Sequence, residues 1–220
     1  MIVTTMGVLA IILLAIAVGA MSPGPSFVLV SRISMSHSRI HGLACAIGMG
    51  LGGALFTTLA LVGLVALLQQ VEWLYLVLKL AGGLYLVYLG IRIWQGAKVP
   101  MTPVSGGEAG QLSSPWRSLG LAFATQVSNP KTAVVYASIF AAMMPATPPL
   151  ALLLALPPAI FLVEAGWYAI VAFAFSAERA QRVYLRWKTG IDRLAGLVIG
   201  ALGLRLLGET LSSASRLTLR

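Results

Sequence analysis

The sequence predicts an all-α integral membrane protein with six transmembrane helices, arranged as two inverted three-helix repeats whose first and fourth helices are broken at proline motifs. Three observations predict it. Hydrophobic residues make up 59% of the 220 residues and charged residues only 10%, whereas a soluble domain carries roughly 25% charged residues. Six apolar stretches meet or approach the roughly 20 residues that cross a bilayer core of about 30 Å. Two of them carry helix-breaking clusters at matching positions. So few charges cannot cover a soluble surface. This excludes an ordinary cytoplasmic protein and a disordered chain, and the single Cys45 excludes an internal disulfide scaffold.

Residues 4–30 are uncharged and follow no Lys or Arg, so they read as a retained span rather than a cleaved signal peptide. Met21-Ser22-Pro23-Gly24-Pro25-Ser26 interrupts that span. Residues 42–68 are also uncharged and carry Gly48, Gly50, Gly52 and Gly53, then Thr57; Gly48 and Gly52 form a small-xxx-small pair suited to close packing, and a cavity wall is the alternative reading of the glycines. Residues 73–91 contain only Lys79, close enough to the end of the span to snorkel to the interface. Residues 119–144 contain only Lys131 and break at Val127-Ser128-Asn129-Pro130-Lys131-Thr132. Residues 150–175 contain only Glu164, and residues 194–207 form a shorter run with Arg205 near its end. The resulting organisation is a first repeat over 1–95, a Gly-, Ser- and Pro-containing cytoplasmic linker over 96–116, a second repeat over 117–211 and a tail over 212–220.

The net charge of +9 would suggest nucleic acid as the partner of a soluble protein. Its placement says otherwise. Ten of the fifteen basic residues fall in the first, third and fifth connections: Arg32 and Arg39; Arg92, Lys98 and Arg117; Arg179, Arg182, Arg186, Lys188 and Arg193. The second and fourth connections hold none. The positive-inside rule therefore puts the odd connections in the cytoplasm and both termini outside, in a multi-pass protein of the bacterial inner membrane with no nucleic-acid partner. Trp73, Trp94, Trp116 and Trp187 fall near the predicted interfaces.

The two halves resemble each other. Lys79-Leu80-Ala81-Gly82-Gly83 running on to Leu89-Gly90-Ile91-Arg92 aligns, with a one-residue gap, to Arg193-Leu194-Ala195-Gly196 running on to Leu202-Gly203-Leu204-Arg205. An odd number of spans per half makes the halves antiparallel in the bilayer.

Proline within a span removes a backbone donor, and in lipid the freed carbonyls need other partners. Breaks at matching positions therefore point to a binding site at the repeat interface. The half-helices after the breaks present free N–H groups and a positive dipole end to a carboxylate, which makes Pro23, Gly24, Pro25, Ser26, Asn129, Pro130, Lys131 and Thr132 candidate binding residues. Glu164 is the only acid within a span, with Trp167 and Tyr168 on its face. Its roles as proton carrier, partner of a substrate ammonium, or structural ion pair with Lys131 or Lys79 stay open. His37 and His41 have no Asp or Glu beside them and the chain's single cysteine, Cys45, is the one thiol near them, so no metal site is expected. No Ser-His pair or His-Glu metal motif lies within the spans, so an enzyme is not expected.

These strings resemble the lysine-exporter and homoserine/threonine-resistance superfamily. Met21-Ser22-Pro23-Gly24-Pro25 and Ser128-Asn129-Pro130-Lys131 are the most telling. Gly82-Gly83-Leu84-Tyr85-Leu86 with Leu89-Gly90, Val163-Glu164 with Trp167, and Ile191-Asp192 with Leu194-Ala195-Gly196 add to them, and the likeness is greatest to the threonine-efflux branch. The resemblance implies six spans, no bound cofactor, and export of small, mostly neutral amino acids such as threonine or homoserine, driven by the proton gradient. A transporter of another small solute or cation is the alternative, and a homo-oligomer is left open. On this reading the substrate carboxylate meets Gly24, Pro25 and Ser26 together with Lys131 and Thr132, Asn129 assists, Trp167 contributes, and ammonium and proton compete for Glu164. Many relatives carry Asp or Asn where this chain has Ser26, and an acid near the position of Gly53. Both changes leave Glu164 as the main acidic candidate.

Overall fold

The computed structural model describes residues 2–22, 24–68, 72–98, 114–145, 147–176 and 178–218. Every regular element among the described residues is an α-helix: α1 (Ile2–Met21), α2 (Pro25–Ser36), α3 (Arg39–Leu68), α4 (Glu72–Gly96), α5 (Pro115–Val127), α6 (Pro130–Met143), α7 (Leu150–Phe175) and α8 (Glu178–Thr218). Three stretches, Arg39–Gly63, Leu150–Phe175 and Leu185–Leu211, are long and apolar enough to cross a membrane. The bent pair Thr5–Met21 and Pro25–Ser36, with 61° between its helices, makes a fourth candidate. The pair α5 and α6, of 13 and 14 residues, is too short to span as separate helices.

The starts of these helices follow local chemistry. Pro25, Pro115 and Pro130 each stand in the first turn, where a missing N–H costs nothing. Ser114 caps α5 by accepting from the Arg117 N–H, and Asn129 caps α6 by accepting from the Lys131 N–H at 3.0 Å. The break between α5 and α6 is thus a capped restart, only Ser128 and Asn129 long. Pro157 and Pro158, by contrast, sit inside α7 without ending it.

The connections differ from their expected extent. Most of the predicted linker, residues 99–113, lies outside the described residues. The fifth connection is a short turn, and its basic residues belong to α8, whose 41 residues extend well past one bilayer thickness. The helix also continues to Thr218, through most of the predicted tail.

Glycines set the closest helix contacts. A methyl at Gly48 would strike the Leu119 carbonyl, and one at Gly52 would lie 2.6 Å from Gln126 Cγ, so these two glycines seat α5 on α3. Against α7, a methyl at Gly50 would lie 2.9 Å from Ala165 Cβ. The α4–α8 contact is reciprocal: a methyl at Gly90 would lie 2.6 Å from the Gly196 carbonyl oxygen, and one at Gly203 would lie 2.8 Å from that of Gly83. These pairings run the two helices antiparallel.

Buried apolar side chains form two clusters. One includes Ile12, Ile16, Leu86, Ile139, Phe140, Leu152 and Ile160; the other includes Phe27, Ile33, Met49, Ala122, Tyr168 and Phe175. Along α7, Ile160 belongs to the first and Tyr168 to the second. Glu164 stands one helical turn from each.

Candidate functional site

Between the clusters lies a small cavity, about 30 Å³, lined among others by Ser22, Gly24, Ser26, Gln126, Asn129, Lys131, Thr132, Tyr136, Glu164 and Tyr168. That is room for about two waters.

A continuous set of hydrogen bonds runs along the cavity wall. Asn129 Nδ2 donates to Ser26 Oγ at 3.1 Å, and Ser26 Oγ donates to Gln126 Oε1 at 2.6 Å. Gln126 Nε2 donates to Glu164 Oε2 at 3.1 Å, and the Tyr136 hydroxyl donates to Glu164 Oε1 at 2.9 Å. All five residues are buried, Glu164 to 3% exposure. The two helix breaks are thereby tied to the acid of α7. Each Glu164 oxygen accepts one charge-assisted bond, which offsets part of the cost of placing a carboxylate in apolar surroundings.

Lys131 reaches the other break. Its Nζ donates to the Ser22 carbonyl at 2.9 Å, just past the end of α1, where a cation complements the negative end of the helix dipole. Its side chain passes 3.4 Å from where a Gly24 Cβ would stand. Lys131 and Glu164 line the same cavity but form no salt bridge, so both charged heads face the same space.

The structure brings Gly24, Ser26, Asn129, Lys131, Thr132 and Glu164 to one cavity. Pro25 and Pro130 head their helices with exposed rings. Pro23 lies outside the described residues. Trp167 does not line the cavity; it packs on the Phe27 cluster and leaves its Nε1 without a hydrogen-bond partner, while the adjacent Tyr168 takes the cavity position. Gln126, Tyr136 and Ser22 were not singled out as binding residues. The signal was helical spacing from the break: Gln126 lies three residues before Asn129, and Tyr136 four after Thr132. Lys79 lies apart, beside a second cavity of about 170 Å³ that Arg205 and Glu209 also line. Among the described residues, no three His, Cys, Asp or Glu side chains gather as a metal site would require.

Paired broken helices meeting a buried acid inside an apolar bundle are the hallmark of a membrane translocator. The chain belongs to the LysE type translocator family, which it matches over residues 17–210. It is 28% identical to the threonine efflux protein of Salmonella typhi over 190 residues, covering 86% of this chain and 92% of that one. It is 27% identical to the threonine efflux protein of Escherichia coli (strain K12) over the same shares. A leucine efflux protein of Enterobacter sp. (strain 638) is 30% identical over 54% of each chain. No solved structure matches the chain.

Proposed function

We propose that this protein is an inner-membrane exporter of small, mostly neutral amino acids, with threonine and homoserine as the reference substrates, working by alternating access and proton antiport. The observation that carries the reading is the hydrogen-bonded path from the two helix breaks to Glu164. A zwitterion needs cationic and N–H donors for its carboxylate and an acceptor for its ammonium. Lys131 and the first turns of α2 and α6 supply the first; Glu164 supplies the second. Ammonium and proton then compete for one carboxylate, so release of one accompanies capture of the other. An inward proton is worth about 2.3 kcal/mol per 100 mV, about a 50-fold gradient of a zwitterion.

Six spans in two inverted repeats complete the proposal, with α1–α2 and α5–α6 as the broken spans. The reciprocal α4–α8 glycines support it: with the one-residue gap of the sequence alignment placed at Gly82, Gly83 corresponds to Gly196 and Gly90 to Gly203, so the two contacts exchange under a two-fold rotation. The apolar clusters on either side of the cavity suit two gates opened in turn. By the positive-inside rule, the turn between α2 and α3 faces the cytoplasm and both termini face outward.

The test is transport of a panel of radiolabelled amino acids by purified protein in proteoliposomes under an imposed pH gradient. Wild-type protein should move threonine uphill against protons, and Glu164→Gln should lose the pH dependence. Unchanged transport by Glu164→Gln overturns the proton role, and no transport of any amino acid overturns the exporter reading.

A further inference from the structure

Gln126 is the neutral joint of the path. Its amide spans Ser26 and Glu164 with one atom toward each, at 2.6 and 3.1 Å, and interchanging oxygen and nitrogen preserves both contacts. As the bonds stand, both Glu164 oxygens only accept, the pattern of a carboxylate. A protonated Glu164 has a hydrogen to donate. Gln126 can accept it only by turning its amide over.

That turn reaches Ser26. A hydroxyl has one hydrogen and two acceptor sites. In the present arrangement the hydrogen goes to Gln126 and one acceptor site to Asn129, which leaves an acceptor site free at a residue lining the cavity. After the turn, Asn129 and Gln126 fill both acceptor sites and the hydroxyl hydrogen is freed toward the cavity. The cavity trades an acceptor for a donor.

We propose that Gln126 is a two-way hydrogen-bond switch: with Glu164 charged it holds Ser26 as an acceptor for a cationic group in the cavity, and with Glu164 neutral it turns over and makes Ser26 a donor that disfavours one. Proton and ammonium thus exclude each other at two points, Glu164 and Ser26. No covalent bond changes except that between the incoming proton and the Glu164 carboxyl; the amide rotates about its own side-chain bond.

The groups facing Glu164 let it act. Tyr136 and Lys131 come from α6, and Tyr168 from α7 itself. α5 contributes the neutral Gln126, α3 brings Gly53 against the Glu164 side chain, and the α1 and α2 residues that line the cavity, Ile16, Gly19, Ala20, Ser26 and Phe27, carry no ionisable side chain; Arg32 of α2 is not among the lining residues. On α8, Asp192 is held by Lys188 at 2.7 Å.

The inference rests on the proposed coupling, but its test needs no transport. Purified protein in nanodiscs, with glutamine side chains isotopically labelled, is titrated with pH under difference infrared spectroscopy. The carboxyl band missing from Glu164→Gln and the labelled amide band missing from Gln126→Met should change together, at one midpoint. If Gln126→Met does not fold, Gln126→Asn assigns the amide band by its displacement. A carboxyl band that titrates while the amide band stays still overturns the switch, as does the absence of any titrating Glu164 band. Joint titration in a protein that moves no amino acid keeps the switch and removes the exporter reading. Binding of radiolabelled threonine gives a second readout: the ratio of affinities at alkaline and acid pH should fall about tenfold in Gln126→Met, the worth of one hydrogen bond. An unchanged ratio overturns the link to substrate.

Discussion

At the residue scale, the site depends on a few buried polar atoms whose partners are all specified. Removing one partner leaves another exposed to apolar surroundings, at a cost of about 1–3 kcal/mol. Tyr136→Phe takes the donor from Glu164 Oε1 and keeps the ring packed against Phe140, so it should destabilise by about that much in thermal unfolding in detergent while the helices stay intact. Gly53 tests the same place by addition. A Cβ there would lie 2.7 Å from the Tyr136 hydroxyl and 3.1 Å from Glu164 Cγ, so Gly53→Ala should push the tyrosine off the acid and lower proton-driven transport. Transport equal to wild type in that variant would show that the tyrosine contact is dispensable. Lys131→Met loses the bond to the Ser22 carbonyl and, among the described residues, the only ammonium lining the cavity, and should raise the KM for amino acid by about tenfold or more in proteoliposomes.

At the scale of elements, two kinds of interruption do different work. The α1–α2 and α5–α6 breaks end one helix and restart another, so residues at the starts of α2 and α6 come to line the cavity. Pro157 and Pro158 leave α7 continuous, which keeps Glu164 on the same rod as Ile160 and Tyr168. The α4–α8 crossing depends on backbone approaching backbone. Gly90→Val and Gly196→Val place side chains against carbonyls at distances no real Cβ occupies and should each cost about 1–3 kcal/mol, read as reduced thermal stability. Gly63→Val, where nothing lies within 4 Å, is the control and should leave stability within about 0.5 kcal/mol.

At the scale of the whole molecule, the orientation proposed from the basic residues can be read by labelling. In a Cys45→Ser background, Thr147→Cys in the turn before α7 should react with a membrane-impermeant thiol reagent from outside intact cells, and Ser38→Cys between α2 and α3 only after the membrane is opened. The reverse pattern would invert the molecule. On the proposed alternating access, the cavity of about 30 Å³ between two apolar clusters has to widen by separating either cluster without separating both.

Much of the architecture was legible in order along the chain. Long apolar runs can satisfy their backbone only as helices in lipid, and Pro with Asn, Ser or Gly marks where a helix must stop and restart. That reasoning also reached Ser26, Asn129, Lys131, Thr132 and Glu164, because polar atoms at breaks and charges within spans are costly unless they have partners. It placed both Trp167 and Tyr168 on the Glu164 face and took Trp167 as the binding residue, yet Tyr168 lines the cavity: adjacent positions differ by about 100° around a helix, and only the packing of α7 against α2 and α3 decides which points inward. Gln126 and Tyr136 lie in separate helices, and nothing in their neighbours says they converge on one carboxylate. The sequence by itself determined the membrane, the helices, their breaks and the charges that cannot be left alone. The tertiary structure alone decided which partners those charges find, because a hydrogen bond between side chains far apart in the chain exists only after glycine-mediated packing has brought the helices together.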